Sequence, residues 1–346
     1  MYRTRTLAAD AAGVAAATTL LHAGELVAFP TETVYGLGGN ALDAAAVARI
    51  FSAKGRPAED PLIVHVAVVA QLARVTRDLP DVVELLAARF WPGPLTLIVP
   101  RSPAVPPAVS AGRDTVAVRI PQHPLAQMLL RAVAIPIAAP SANRFGHTSP
   151  TSAQHVLADL DGRIAAVIDG GATPIGIEST VLDLTAPVPT LLRPGGISLE
   201  ELRKVLGEVA LGRRVEQDTA QIAPGLLDRH YAPASAMWLA IGHAAATRAW
   251  LAKRAAALRA EGKRVGLLIP DDDQDLATAA DLVVTLGPAN DPERIASRLY
   301  AALREIDAQR PDVILARDLG EEGIARAIRD RLRRAASGNV IEIETR

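Results

Sequence analysis

The stretch AAVIDGGATPIGIESTVLDLTAPVPTLLR, residues 165–193, decides the fold class. Residues 165–169, 179–183 and 190–193 each read as a short apolar strand, and turns bearing glycine or proline separate them. No helix stands between these runs. A purely parallel, doubly wound sheet needs a crossover helix between consecutive strands, so the expectation is a mixed sheet. The flanking sequence agrees: residues 26–29, 62–66, 95–99, 115–120 and 135–139 read as strands. Residues 10–23, 44–53, 124–133 and 199–206 read as helices.

A composition shift follows at residues 207–233. This stretch has little periodicity and reads as a linker. Beyond it the pattern becomes regular. Strands are expected at 237–241, 265–269, 282–286 and 313–316, and helices at 244–260, 292–308 and 323–336. This reads as a smaller, Rossmann-like β/α domain with a parallel sheet. Its first strand is not followed by G-x-G-x-x-G, so the dinucleotide fingerprint is absent. The expected division is a first domain over 1–207, a linker or flap over 208–235, and a C-terminal domain over 236–346.

Composition narrows the chemistry. The 346 residues are 49% hydrophobic and 22% charged, which suits a globular protein of two domains. A net charge of -1 argues against a basic coat for nucleic acid. There are no cysteines, which removes disulfides, thiolate nucleophiles and cysteine-based metal sites. His22, His123, His147, His155 and His243 show no metal-ligand spacing, so no protein-held metal is expected. No apolar run approaches the roughly 18–20 residues that cross a bilayer, and the N-terminal alanines are interrupted by Asp10 and Gly13. The reading is a cytoplasmic protein.

Several segments carry chemistry. In PTETVYGLGGNA, residues 30–41, a strand runs into Gly36, Gly38 and Gly39. These glycines suit close backbone approach to a ligand or, equally, a tight turn. In FSAKGRPAEDPLIVHV, residues 51–66, Lys54 and Arg56 flank a glycine on a proline-stiffened loop, a pairing that suits polyphosphate. His65 sits inside an apolar strand, where a satisfied core histidine is the more common case. Arg119 sits between Val118 and Ile120. If it faces inward it needs an anion, and a substrate carboxylate would serve. AAPSANRFGHTSP, residues 138–150, empties a strand into Ser141, Asn143 and Ser149. GIEST and LLRPGG add Ser179 and Arg193. His230 and Tyr231 lie between prolines in the linker, as a docking patch or a closing flap. No P-loop, G-x-S-x-G or H-E-x-x-H is present. The set offers cations, hydroxyls and backbone donors, with no protein nucleophile.

Taken together, PTETVYGLG, KGRP, PLIVHV, WPGPLTLI, VRIP, PSAN with SP, GIESTVLD and LRPG resemble, in order, the threonylcarbamoyl-AMP synthase family with its YrdC-type domain. The linker RHYAP and the extra β/α domain resemble the long two-domain form. The resemblance implies an α/β fold with a twisted, mixed sheet and helices around a basic cavity. It implies synthesis of L-threonylcarbamoyl-adenylate from L-threonine, bicarbonate and ATP, with Mg2+ carried by the ATP phosphates. A downstream tRNA threonylcarbamoyl-transferase complex is the implied partner, with transient tRNA contact. Lys54 and Arg56 match catalytic positions. Lys54, Arg56, Asp60, Thr115, Ser141, Asn143, Ser149, Arg193 and Tyr231 match ATP positions. Thr33, His65, Arg119, Ala139 and Ser179 match threonine positions.

Two departures stand out: Asp60 where the family commonly has Asn, and Phe145 where a small residue is common. A carboxylate at Asp60 would repel phosphates unless it faces a cation or an adenosine hydroxyl. The competing readings are a non-catalytic RNA-binding module, disfavoured by charge and by 3% aromatic content, and a carbamoyl-phosphate-using relative, whose cysteine-bearing parts are missing.

Overall fold

The computed structural model describes residues 3–212, 222 and 231–343. The chain divides into two compact units. The first comprises Met1–Phe145, Ser149–Pro174 and Glu178–Leu227, and the second Gly146–Thr148, Ile175–Ile177 and Asp228–Arg346.

In the first unit the strands are β1 (Arg5–Leu7), β2 (Val27–Pro30), β3 (Tyr35–Asn40), β4 (Ile63–His65), β5 (Leu95–Pro100), β6 (Thr115–Arg119), β7 (Ile137–Ala138), β8 (Ala166–Ile168), β9 (Thr180–Asp183), β10 (Thr190–Arg193) and β11 (Ala210–Leu211). They form one sheet in the order β1-β8-β2-β3-β7-β4-β6-β5-β9-β10-β11. The sheet is mixed: β4 runs parallel to β6, for example, and β5 antiparallel to it. The expectation drawn from residues 165–193 holds, since β9 and β10 form an antiparallel pair with no helix between them. Ala210–Leu211, within the stretch read as linker, pairs in parallel with β10.

Helices α1 (Ala11–His22), α2 (Ala44–Lys54), α3 (Val82–Phe90), α4 (Pro124–Val133), α5 (Ala153–Leu160) and α6 (Leu199–Leu206) complete this unit. Local chemistry sets several of their ends. Asp10 caps α1 by accepting from the Gly13 amide at 2.8 Å. Ser198 and Glu201 form a capping box at the start of α6. Gly55, at φ 63°, ends α2 in the left-handed region and turns the chain toward Arg56.

Strand periodicity then sorts the two faces of the sheet. Tyr35, Leu37, Val64, Leu95, Leu97, Val116, Val118, Ala138 and Leu182 join the main hydrophobic cluster on one face. The alternate residues fall in two other clusters. Val27, Phe29, Ile137 and Ala139 belong to one, and Ile63, Ile98, Ala117 and Val181 to the other. In the same alternate register lie His65, Thr96, Arg119 and Ser179, all buried.

The second unit carries β12 (Ala236–Ile241), β13 (Val265–Ile269), β14 (Leu282–Thr285), β15 (Val313–Arg317) and β16 (Val340–Glu342), with α7 (Ala244–Ala260), α8 (Pro292–Ala308) and α9 (Ala325–Ala335). All its strand pairs are parallel, in the order β14-β13-β15-β12-β16. This is the small Rossmann-like arrangement expected from the periodicity. Leu251, Ala255 and Leu258 of α7 pack on Val265, Leu267, Ile269 and Leu315. A buried ion pair, Arg317 Nε to Asp273 Oδ2 at 2.5 Å, closes the end of β15. No helix among the described residues is long and apolar enough to cross a membrane.

Gly195 is among the glycines of the first unit that have no room for a side chain. A Cβ on Gly195 would lie 2.3 Å from the Thr180 amide nitrogen and 2.4 Å from the Glu178 carbonyl oxygen. These neighbours are main chain and cannot rotate away. Gly195→Ala is therefore expected to cost about 2–3 kcal/mol or more through overpacking. Thermal unfolding should show a midpoint lower by roughly 4–10 °C, and an unchanged midpoint would contradict the packing described.

Candidate active site

The turn between β2 and β3 brings Thr31, Glu32 and Thr33 under the sheet, all buried. The side chain of Arg119, from the end of β6, meets them. Its Nη2 donates to Glu32 Oε1 at 2.6 Å and its Nη1 to Thr33 Oγ1 at 3.0 Å. Its Nε donates to the Gly93 carbonyl at 3.3 Å. Glu32 Oε2 accepts from the Gln122 amide at 3.0 Å. Arg119 therefore faces inward, and its counter-ion is a protein carboxylate. The burial that seemed to require a substrate anion is already balanced by Glu32.

His65 is the register partner of Arg119 on the parallel strand β4. Its Nδ1 lies 3.2 Å from the Ile63 carbonyl oxygen, and its ring meets Phe29 edge-on at 6.4 Å. Burial, reinforced by the Arg119 charge, pushes its pKa down to about 3, so the imidazole is neutral near pH 7. The Ala139 amide donates to the Ile63 carbonyl at 2.9 Å, which places this residue beside the base of β4. On the other side of β6, Thr96 of β5 is in register with Arg119. Its Oγ1 lies 2.8 Å from Ser179 Oγ. Arg193 reaches the same serine, with Nη2 donating to Ser179 Oγ at 3.2 Å and to its carbonyl at 3.0 Å. Thr33, His65, Arg119, Ser179 and Arg193 are thus joined by hydrogen bonds or strand register.

The remaining cations form a second cluster. Lys54, at the end of α2, donates from Nζ to the carbonyls of Ser141 and Asn143, both at 2.5 Å. Burial and the neighbouring Arg56 push its pKa well below the usual lysine range. The Phe145 amide donates back to the Lys54 carbonyl at 2.9 Å, so Phe145 helps tie the PSAN loop to α2. Arg56 donates to the carbonyls of Asp60 and Pro61 at 2.9 and 2.7 Å, and its Nη2 lies 2.9 Å from Asp60 Oδ2. Asp60 therefore faces a cation, the condition under which a carboxylate is tolerable there. Ser149 donates to Glu178 Oε1 at 2.6 Å, both buried.

Two expected residues stand apart. Thr115, half-buried, begins β6, four residues from Arg119. Tyr231 belongs to the second unit, where it is buried and its ring lies 5.5 Å from that of Tyr300 and 5.3 Å from the Arg331 guanidinium. His230 lies outside the described residues.

The glycine-rich segment takes a different form from either expectation. Residues 35–40 are strand β3, buried over most of its length. A Cβ on Gly38 would lie 2.9 Å from the Phe29 ring and one on Gly39 3.1 Å from Ile50. These glycines admit neighbouring side chains to a crowded sheet, with their main chain committed to the ladder. Sequence reasoning also passed over Thr31, Glu32, Thr96 and Glu178. Each sits within or beside a quoted motif, and the available signal was a polar residue in a stretch that must be buried. Among the described residues, no group of three or more histidines and carboxylates is placed to hold a metal ion.

Comparison with known proteins agrees with this architecture. A family model of the Sua5/YciO/YrdC type, described as telomere recombination, matches residues 19–195. A second model, the C-terminal domain of threonylcarbamoyl-AMP synthase, matches residues 197–337. Threonylcarbamoyl-AMP synthase of Pyrococcus abyssi is 49% identical over 323 residues, spanning 92% of this chain and 93% of that one. The Bacillus subtilis enzyme of the same name is 45% identical, spanning 95% and 94%. The crystal structure of Pyrococcus abyssi Sua5 complexed with L-threonine superposes with a TM-score of 0.91 at 45% identity, covering 99% of both chains. With both domain models matched and relatives aligned over almost the whole length, the chain belongs to the threonylcarbamoyl-AMP synthase family.

Proposed function

We propose that this protein condenses L-threonine, bicarbonate and ATP into L-threonylcarbamoyl-adenylate and releases pyrophosphate. The product would serve threonylcarbamoyladenosine formation in tRNA through a downstream transferase complex, with transient tRNA contact, in the cytoplasm. The observation that carries this reading is the presence of two buried cationic clusters in the first unit. One is built around Arg119 and its hydroxyl neighbours, and the other around Lys54 and Arg56. Family membership supports it, as does the threonine complex of the Pyrococcus abyssi relative.

In this reading Arg119 takes the threonine carboxylate, with Thr33, His65, Ala139 and Ser179 around the same substrate. Lys54, Arg56, Asp60, Thr115, Ser141, Asn143, Ser149 and Arg193 surround ATP, and Tyr231 of the segment 208–235 is assigned to ATP by the family resemblance alone. The threonine amine and bicarbonate give a carbamate with loss of water. A carbamate oxygen attacks the α-phosphorus, the bond from that phosphorus to the β-phosphate bridging oxygen breaks, and pyrophosphate departs. The nucleophile belongs to the substrate, which suits a chain without cysteine. Mg2+ arrives as part of the ATP substrate, held by its phosphates. Asp60 and Glu178 are engaged by Arg56 and Ser149, a donor set that fits a metal carried in by phosphate. Lys54 and Arg56 stabilise the charge that grows on the phosphates as the bond breaks.

Pyrophosphate release from Mg-ATP and bicarbonate should be stimulated by L-threonine and far less by L-serine or L-alanine. Equal release with all three would end the threonine assignment. Arg56→Ala should lower threonine-dependent release by roughly 10²-fold or more, and near-normal turnover would remove Arg56 from the mechanism.

His65 makes a separate prediction. Its folded pKa of about 3 lies below the ordinary value of 6.5, so unfolding takes up a proton between those limits. Its contribution to stability is complete above about pH 6.5 and is lost progressively as pH falls toward 3. Lowering the pH from 7 to 5 should therefore cost the wild type about 2 kcal/mol more than it costs His65→Gln in urea unfolding. Identical losses would show that the imidazole is not held neutral.

A further inference from the structure

The hydroxyl of Thr31 has a single proton, and its destination is fixed. Thr31 Oγ1 lies 2.6 Å from the Val34 carbonyl oxygen, a group that accepts and never donates. Thr31 therefore donates to Val34. Its oxygen also accepts two longer hydrogen bonds, from the Thr33 and Val34 amides at 3.2 and 3.3 Å, and its shorter remaining contact is 2.8 Å to Thr33 Oγ1. With the Thr31 proton committed, that contact needs Thr33 as its donor. Thr33 Oγ1 in turn receives a hydrogen bond from Arg119 Nη1, since a guanidinium only donates. The Thr33 hydroxyl has thus given its proton to Thr31 and accepted one from Arg119. What it has left is a lone pair.

Arg119 shows the complementary balance. Of the five N–H groups of a guanidinium, one goes to Gly93, one to Thr33 and one to Glu32. One N–H remains on each terminal nitrogen. The Arg119 guanidinium and the Thr33 hydroxyl together leave two donors and one acceptor, the pattern that matches an amino acid offering a carboxylate and an N–H or O–H.

Resting on the threonine reading above, we propose that Thr31 is a positioning residue that fixes Thr33 as a hydrogen-bond acceptor, so that Thr33 reads an N–H or O–H of the amino-acid substrate. Thr31 does this without touching the substrate. In its absence Thr33 regains a free proton, and its hydroxyl turns as readily to donate as to accept.

The test measures L-threonine binding to the full chain by calorimetry. Thr31→Val should weaken binding about tenfold, the scale of one hydrogen bond, and Thr31→Ser should restore it to within about threefold. Thr31→Val added to Thr33→Val should cost little more than Thr33→Val alone, because Thr31 acts through the Thr33 hydroxyl. A general loosening of the turn would instead add in full. L-Valine, which lacks the hydroxyl, identifies the donor that Thr33 reads. If its affinity is untouched by Thr31→Val, the donor is the substrate hydroxyl; if it falls in parallel with threonine, the donor is the amine. Wild-type affinity in Thr31→Val, no rescue by Thr31→Ser, or full additivity with Thr33→Val would each overturn the proposal. Failure of the unsubstituted protein to bind L-threonine would overturn the functional reading itself, a distinguishable result.

Discussion

The contact between Arg119 and Glu32 is the one on which the rest of the first unit depends. A guanidinium at the end of an interior strand is costly to bury, and truncating one member of such a pair typically costs about 3–5 kcal/mol. The solution here is local to one turn. The chain leaves β2 at Pro30, presents Glu32 and Thr33 to the guanidinium, and returns as β3. That turn also fastens the start of α4, because the second oxygen of Glu32 accepts from Gln122. The charge of Arg119 is thus held near neutrality by the fold, and the guanidinium is oriented by its partner in place of standing as a bare cation.

The sheet explains why such a row can exist at all. One face is a continuous hydrophobic cluster, and it supplies most of the burial that stabilises this unit. The opposite face carries apolar patches around Phe29 and Ala139 on one side and around Ile98 and Val181 on the other. His65, Thr96, Arg119 and Ser179 share that face. Because the side-chain period of a strand is two, a shift of register by one residue would exchange these groups with Val64, Leu95, Val118 or Thr180. The placement of this polar row and the packing of the core are therefore specified by the same alternation.

Much of this was legible in the sequence. The strands near 165–193 announced a mixed sheet, and Leu62 to Val66 and Thr115 to Ile120 read as strands. α7 and α8 fall on the residues expected from their periodicity. Other features were not legible. Gly36, Gly38 and Gly39 carry a strong turn signal, yet the bulk of Phe29, Ile50 and Ile137 needs them inside a strand. α3 begins at Val82 without a side-chain cap, and α5, though capped by Ser152, is only eight residues long, so neither combines a cap with a long periodic run. The partner of Arg119 was hidden for a different reason. Glu32 is 87 residues away in sequence, and only sheet order brings the two together. Local patterning reveals that a charge is buried. Which group balances it is a property of topology.

Lys54 carries a consequence of another kind. The chain has only four lysines, and the other three, Lys204, Lys253 and Lys263, are exposed. Lys54 is buried, with its amine held between two carbonyl oxygens. Amine-directed reagents therefore see a nearly mute protein: they mark α6, α7 and the turn that follows α7, and they pass over Lys54. The same seclusion turns this side chain into an internal reporter. Acylation of Lys54 signals that the end of α2 has parted from the loop bearing Ser141 and Asn143, so covalent labelling of one amine measures the opening of that contact.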